Sequence, residues 1–117
     1  MNATENPTPE AVVAKLMGAD ATPLRSLKAA RALGSRIGHE VSLDLDGLHV
    51  SAALRKATTA AGSTQRHADE ASSEAFYVVR TRQADAHSAG TWCPEGPDGC
   101  AFCRGEIPAS PFGHGGV

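Results

Sequence analysis

Aromatic residues make up only 4% of this chain, so stacked rings cannot dominate its core. Hydrophobic residues still reach 41%, much of that alanine, which implies one domain of 117 residues with a thin core. No apolar run approaches the roughly 18 residues that span a bilayer, so no membrane partner is expected. The segment from Met1 to Glu10 lacks the basic region and apolar stretch of a secretory signal, an expectation that places the protein in the cytoplasm. Neither sign of charge dominates: the net charge of −2 argues neither for nor against a nucleic-acid partner. Glycine-rich phosphate loops, G-x-S-x-G elbows and HExxH are all missing, so the motifs do not favour an enzyme. Cysteine is sparse and odd in number, with three in all. In a reducing compartment, clustered cysteines read as metal ligands or redox groups before they read as disulfides.

What is present divides by periodicity. Thr8 and Pro9 give an N-cap followed by proline at the first helical position, and Val12, Val13, Leu16 and Met17 form an apolar stripe that stops at Gly18. Thr22 and Pro23 repeat that start, and Leu24, Leu27, Ala30 and Leu33 follow at helical spacing to Gly34. From Glu40 the period changes to two. Val41, Leu43 and Leu45 alternate with Ser42 and Asp44, Asp46-Gly47 supplies a two-residue turn, and Leu48, Val50 and Ala52 continue the alternation. Pairing across the turn matches polarity at every position, with Asp44 opposite His49, which predicts a β-hairpin. The Ala-rich stretch 52–61 suits a third helix, Ser63 to Glu74 reads as a mobile loop, and Phe76 to Val79 read as a short buried strand. Seven of the twelve glycines lie beyond position 89, so the C-terminal segment needs something to tie it down.

That tie is legible in TWCPEGPDGCAFCRGEIP, residues 91–108. Cys100 and Cys103 form a C-x-x-C pair, whose tight turn lets two thiolates reach one ion. Cys93 lies seven residues before Cys100 across a Gly- and Pro-rich loop that can fold back on the pair. Three neighbouring thiolates repel strongly without a cation. His87 is the first choice for the fourth ligand of a tetrahedral site, His114 the second, and Asp85 or Asp98 a harder donor less suited to thiolate company. Zn2+ suits a closed, mostly thiolate set, and an iron–sulfur cluster is the competing occupant. The nine residues C-x-x-C-x-x-x-I-P resemble half of a bacterial zinc-ribbon knuckle, without its second cysteine pair.

A second pattern lies upstream. Ala14 and Gly18 are spaced as at the crossing and turn of two close helices, with Val13, Met17, Leu24 and Leu27 placed to seal them. The segment from Glu10 to Ala29 resembles a helix-turn-helix, which implies a DNA-reading role for residues 10–34. Arg25, Lys28, Arg31 and Arg36 would then meet phosphates, since no acidic residue occurs between Ala21 and His39.

The expected fold is therefore α+β: two N-terminal helices, a β-hairpin plus a further strand, and a C-terminal metal-stabilised knuckle. Residues 1–9 read as a disordered tail, 10–82 as a small α+β domain, 83–108 as the Cys-rich knuckle and 109–117 as a flexible tail. The function this implies is a small zinc-binding accessory or regulatory protein, with either duplex DNA, met through 10–34, or another protein as its partner. A protein-interaction module with a purely structural zinc, and an iron–sulfur or thiol redox protein, are the alternatives.

Overall fold

Asp46 decides the architecture between residues 41 and 60. Its carboxylate does not sit in a hairpin turn. It accepts the Leu48 amide hydrogen at 3.0 Å and caps the N-terminus of a helix. The structure, a computed structural model, describes residues 8–18, 23–96, 99–101 and 103–105, and within them there are four helices and no strand. The helices are α1 (Pro9–Met17), α2 (Leu27–Glu40), α3 (Gly47–Ala60) and α4 (Gln65–Ala89). The expected β-hairpin and the strand at 76–79 do not form, and the α+β expectation gives way to a helical fold.

Each correction has a local cause. Val41 is the C-cap of α2, its amide donating to the Ile37 carbonyl, so the first half of the supposed hairpin is a helix end followed by a turn at Ser42–Leu45. In α3 the buried residues are Gly47, Val50, Ser51, Ala53, Leu54 and Thr58, which is helical spacing, while Leu48 stays 66% exposed. The apolar run Phe76 to Val79 lies inside α4, where Val78 and Val79 are buried and Tyr77 is 66% exposed. The supposed loop from Ser63 to Glu74 contains the first turns of α4. Thr64 caps them, its hydroxyl accepting the His67 amide at 3.2 Å. That stretch buries only Ser63, Ala68, Ala71 and Ser72, a stripe too small and polar to stand out by hydropathy.

The chain forms two compact units, 1–80 and 81–117. In the first, α1 packs on α3, and the core joins Val13, Ile37, Val50, Leu54 and Val79. Glycine and alanine replace the missing aromatics. A Cβ on Gly34 would sit 2.1 Å from the Ala71 carbonyl oxygen, and one on Gly38 would sit 2.7 Å from Val78 Cβ, so α2 and α4 meet almost backbone to backbone. Buried polar groups are paired: Thr58 Oγ1 donates to the Leu54 carbonyl at 2.8 Å, and Ser72 Oγ donates to the Asp69 carbonyl at 2.9 Å.

Ser26 caps α2, so that helix starts later than Pro23 implies and runs past Gly34. Leu24 precedes it, its amide donating to Ser63 Oγ at 2.9 Å and its carbonyl accepting from His67 Nδ1 at 3.0 Å. Of the expected tails, 1–7 and 109–117 lie outside the described residues, while Thr8 and Pro9 cap and start α1; 19–22, Asp98 and His114 also lie outside. Among the described residues, no helix is long and apolar enough to cross a membrane.

Candidate metal centre

The centre belongs to the second unit and is assembled from a helix end and two glycine turns. His87 lies in the last turn of α4. Gly90, at φ +77, then ends the helix in the left-handed conformation, its amide donating to the His87 carbonyl at 3.1 Å and the Thr91 amide to the Ala86 carbonyl at 2.9 Å. That pair of bonds is a Schellman cap, which reverses the chain and returns Cys93 toward His87. Thr91 Oγ1 adds a third bond, to the Ala86 carbonyl at 3.2 Å.

Cys93 opens the next turn. Its carbonyl accepts from the Gly96 amide at 3.1 Å, with Gly96 at φ +95, and its sulfur accepts from the Glu95 amide at 3.4 Å. Gly99, at φ +75, leads into the C-x-x-C pair, and a Cβ there would lie 3.1 Å from Cys103 Cβ. The backbone angle therefore favours glycine at 99, and a side chain there would also press on Cys103. The pair closes as one turn, the Arg104 amide donating to the Cys100 carbonyl at 2.9 Å and the Arg104 guanidinium to the Gly99 carbonyl at 2.7 Å.

One ligand atom each from His87, Cys93, Cys100 and Cys103 lies within 4.8 Å of all the others, close enough to hold a metal ion. His87 Nε2 is 3.3 Å from Cys100 Sγ. Cys93 and Cys100 are half-buried and Cys103 is exposed; all three are free thiols. The Cys103 backbone amide, then the His87 ring and the neighbouring sulfurs, pull the Cys100 thiol down to about 6, while partial desolvation and the other two sulfurs push Cys103 up. Asp85 is exposed and does not join the group.

The upstream basic residues are arranged differently from expectation. Met17 ends α1 and α2 does not begin until Leu27, too long a connection for the tight turn of a helix-turn-helix. Ala14, expected at the crossing, is exposed, and Gly18 has an ordinary helical φ of −48. Arg31 Nε is held by Glu70 at 3.3 Å and Glu74 at 3.1 Å, and Arg36 Nη2 donates to the Leu16 carbonyl at 3.1 Å. Arg25 lies outside α2, and Lys28 sits exposed in its first turn. This geometry lends DNA binding no support.

Sequence reasoning missed the Gly90–Thr91 cap and the contact of Gly99 with Cys103. The signal for the first, glycine after a helix, was hidden because α4 itself was not legible. Comparison with protein-family models, curated proteins and solved structures finds no match.

Proposed function

We propose that this protein binds one zinc ion through His87, Cys93, Cys100 and Cys103. The observation that carries the reading is the convergence of one nitrogen and three sulfurs within 4.8 Å. Zinc–sulfur bonds of about 2.3 Å and zinc–nitrogen bonds of about 2.0 Å give tetrahedral edges of roughly 3.5 Å for nitrogen to sulfur and roughly 3.8 Å for sulfur to sulfur. The 3.3 Å from His87 Nε2 to Cys100 Sγ is already close to such an edge. An iron–sulfur cluster spreads its protein ligands over separate irons, so it needs a wider set than one ion does. Thiolate with imidazole is also the donor set that suits zinc over harder cations.

Metal analysis of the protein purified without added metal tests this. The expected result is one equivalent of zinc, a colourless solution and, after exchange into cobalt, the visible bands of a tetrahedral thiolate site. Metal-free protein, or a brown protein with iron and sulfide, would refute it. A role for that zinc beyond ordering residues 87–103 depends on how accessible the ion is.

A further inference from the structure

Among the described residues, the side of the centre that carries Cys93 and Cys103 is open. A cavity of about 310 Å³ lies there, lined by both of these cysteines together with Thr91, Trp92 and three glycines. A Cβ on two of those glycines, Gly90 or Gly96, would meet none of the described residues within 4 Å. Cys103 is itself exposed, unlike Cys93 and Cys100. A purely structural zinc site is closed by its four ligands and the surrounding chain, whereas exchange needs a free approach to the ion. The cavity offers that approach, and its size exceeds that of a small thiol by a wide margin.

We infer that the centre is an exchangeable zinc site, at which a low-molecular-weight thiol enters through this cavity and displaces Cys103. The inference rests on the zinc reading above. In the step, the incoming thiol sulfur forms a bond to zinc with its lone pair as the zinc–Cys103 sulfur bond breaks. Its proton passes to the released Cys103 sulfur. Zinc stays divalent, nothing is oxidised or reduced, and zinc passes through five-coordination, which it tolerates. Cys103 is the ligand that leaves because it alone is exposed, while Cys100 is held against His87 and Cys93 accepts the Glu95 amide. The protein then serves as a zinc donor and acceptor.

The test uses the full chain loaded with one zinc, a chromogenic zinc indicator at fixed concentration, and increasing 2-mercaptoethanol. The expected zinc-release rate rises in proportion to the thiol. Iodoacetamide pulsed early in the release should label Cys103 before Cys93 and Cys100 in the species that still carries zinc, read by native mass spectrometry and peptide mapping. A release rate independent of thiol concentration in the unaltered protein overturns the exchange, and so does first labelling at Cys93 or Cys100 in that zinc-carrying species. If the protein takes up no zinc at all, the reading of the centre itself falls.

Discussion

Replacing Gly34 by alanine sets helix propensity against packing, and the structure decides which wins. Alanine in place of glycine inside a helix ordinarily gains about 1 kcal/mol. Here the added Cβ would lie 2.1 Å from the Ala71 carbonyl oxygen, 2.9 Å from Glu74 Cβ and 3.0 Å from the Ala71 carbonyl carbon. Ordinary contact needs roughly 3.5 Å, so α2 and α4 must separate by more than an ångström, and the obstacle is backbone that cannot rotate aside. Overpacking of this kind costs about 1–3 kcal/mol and sometimes more. With the upper part of that range and the propensity gain subtracted, the net loss is about 2 kcal/mol, or roughly 8 to 16 °C in Tm for a unit of this size. Urea and thermal denaturation followed by circular dichroism at the helix minimum measure it. Gly18→Ala is the control: Gly18 has φ −48 and none of the described residues within 4 Å of its Cβ position, so that change should gain up to about 1 kcal/mol. Should Gly34→Ala prove as stable as the parent, the close α2–α4 approach is wrong.

Three further outcomes are expected. Stripping the metal with a chelator should leave most of the helical signal, because every member of the apolar cluster falls between Val13 and Val79 and none is a candidate ligand; hydrogen exchange should quicken around residues 87–105, and a cooperative loss of all helicity would contradict this. In metal-free protein, Cys100 should alkylate with a midpoint near pH 6, since a lowered thiol pKa means thiolate persists to lower pH, while Cys103 reacts only at higher pH; equal pH profiles by mass spectrometry would refute the Cys103 amide as the cause. Arg31→Ala should cost under about 1 kcal/mol, and less in high salt, because its pairs with Glu70 and Glu74 are at the surface; a larger, salt-independent loss in urea titration would show a role beyond ion pairing.

The sequence and the structure diverge where long-range packing sets the outcome. Asp46-Gly47 carries the same two residues in a hairpin turn and at a helix start. What favours the helix start here is the packing of Val50, Ala53 and Leu54 from α3 into one core with Ile37 and Val79, contacts that the local sequence does not display. Polarity alternation from Val41 to Ala52 satisfied a two-residue period by coincidence, since Val50 and Leu54 are buried at helical spacing too. Helix α4 escaped notice for the opposite reason: before Val78 and Val79 its buried face is Ala68, Ala71, Ser72 and Ala75, residues whose value lies in letting another backbone approach rather than in hydrophobic bulk. Thr8 and Pro9, by contrast, start α1 through a purely local hydrogen bond, the Ala11 amide to Thr8 Oγ1 at 3.1 Å, and local chemistry is legible from local sequence.

The convergence of the cysteines follows the same logic from the other side. Cys93, Cys100 and Cys103 are joined by short glycine turns, so their meeting needs few distant contacts, and spacing alone was enough to suggest it. His87 was a weaker inference because it required a chain reversal, and that reversal depends on Gly90 capping a helix whose existence the sequence did not disclose. The three sulfurs, written into nearby residues, do not draw on the apolar cluster of Val13 to Val79 for their geometry, and His87 needs only the last turn of α4. It follows that the ligand geometry should survive substitutions such as Gly34→Ala that weaken the helical unit, and loss of zinc in that variant under conditions where it remains folded would show that the two units depend on each other.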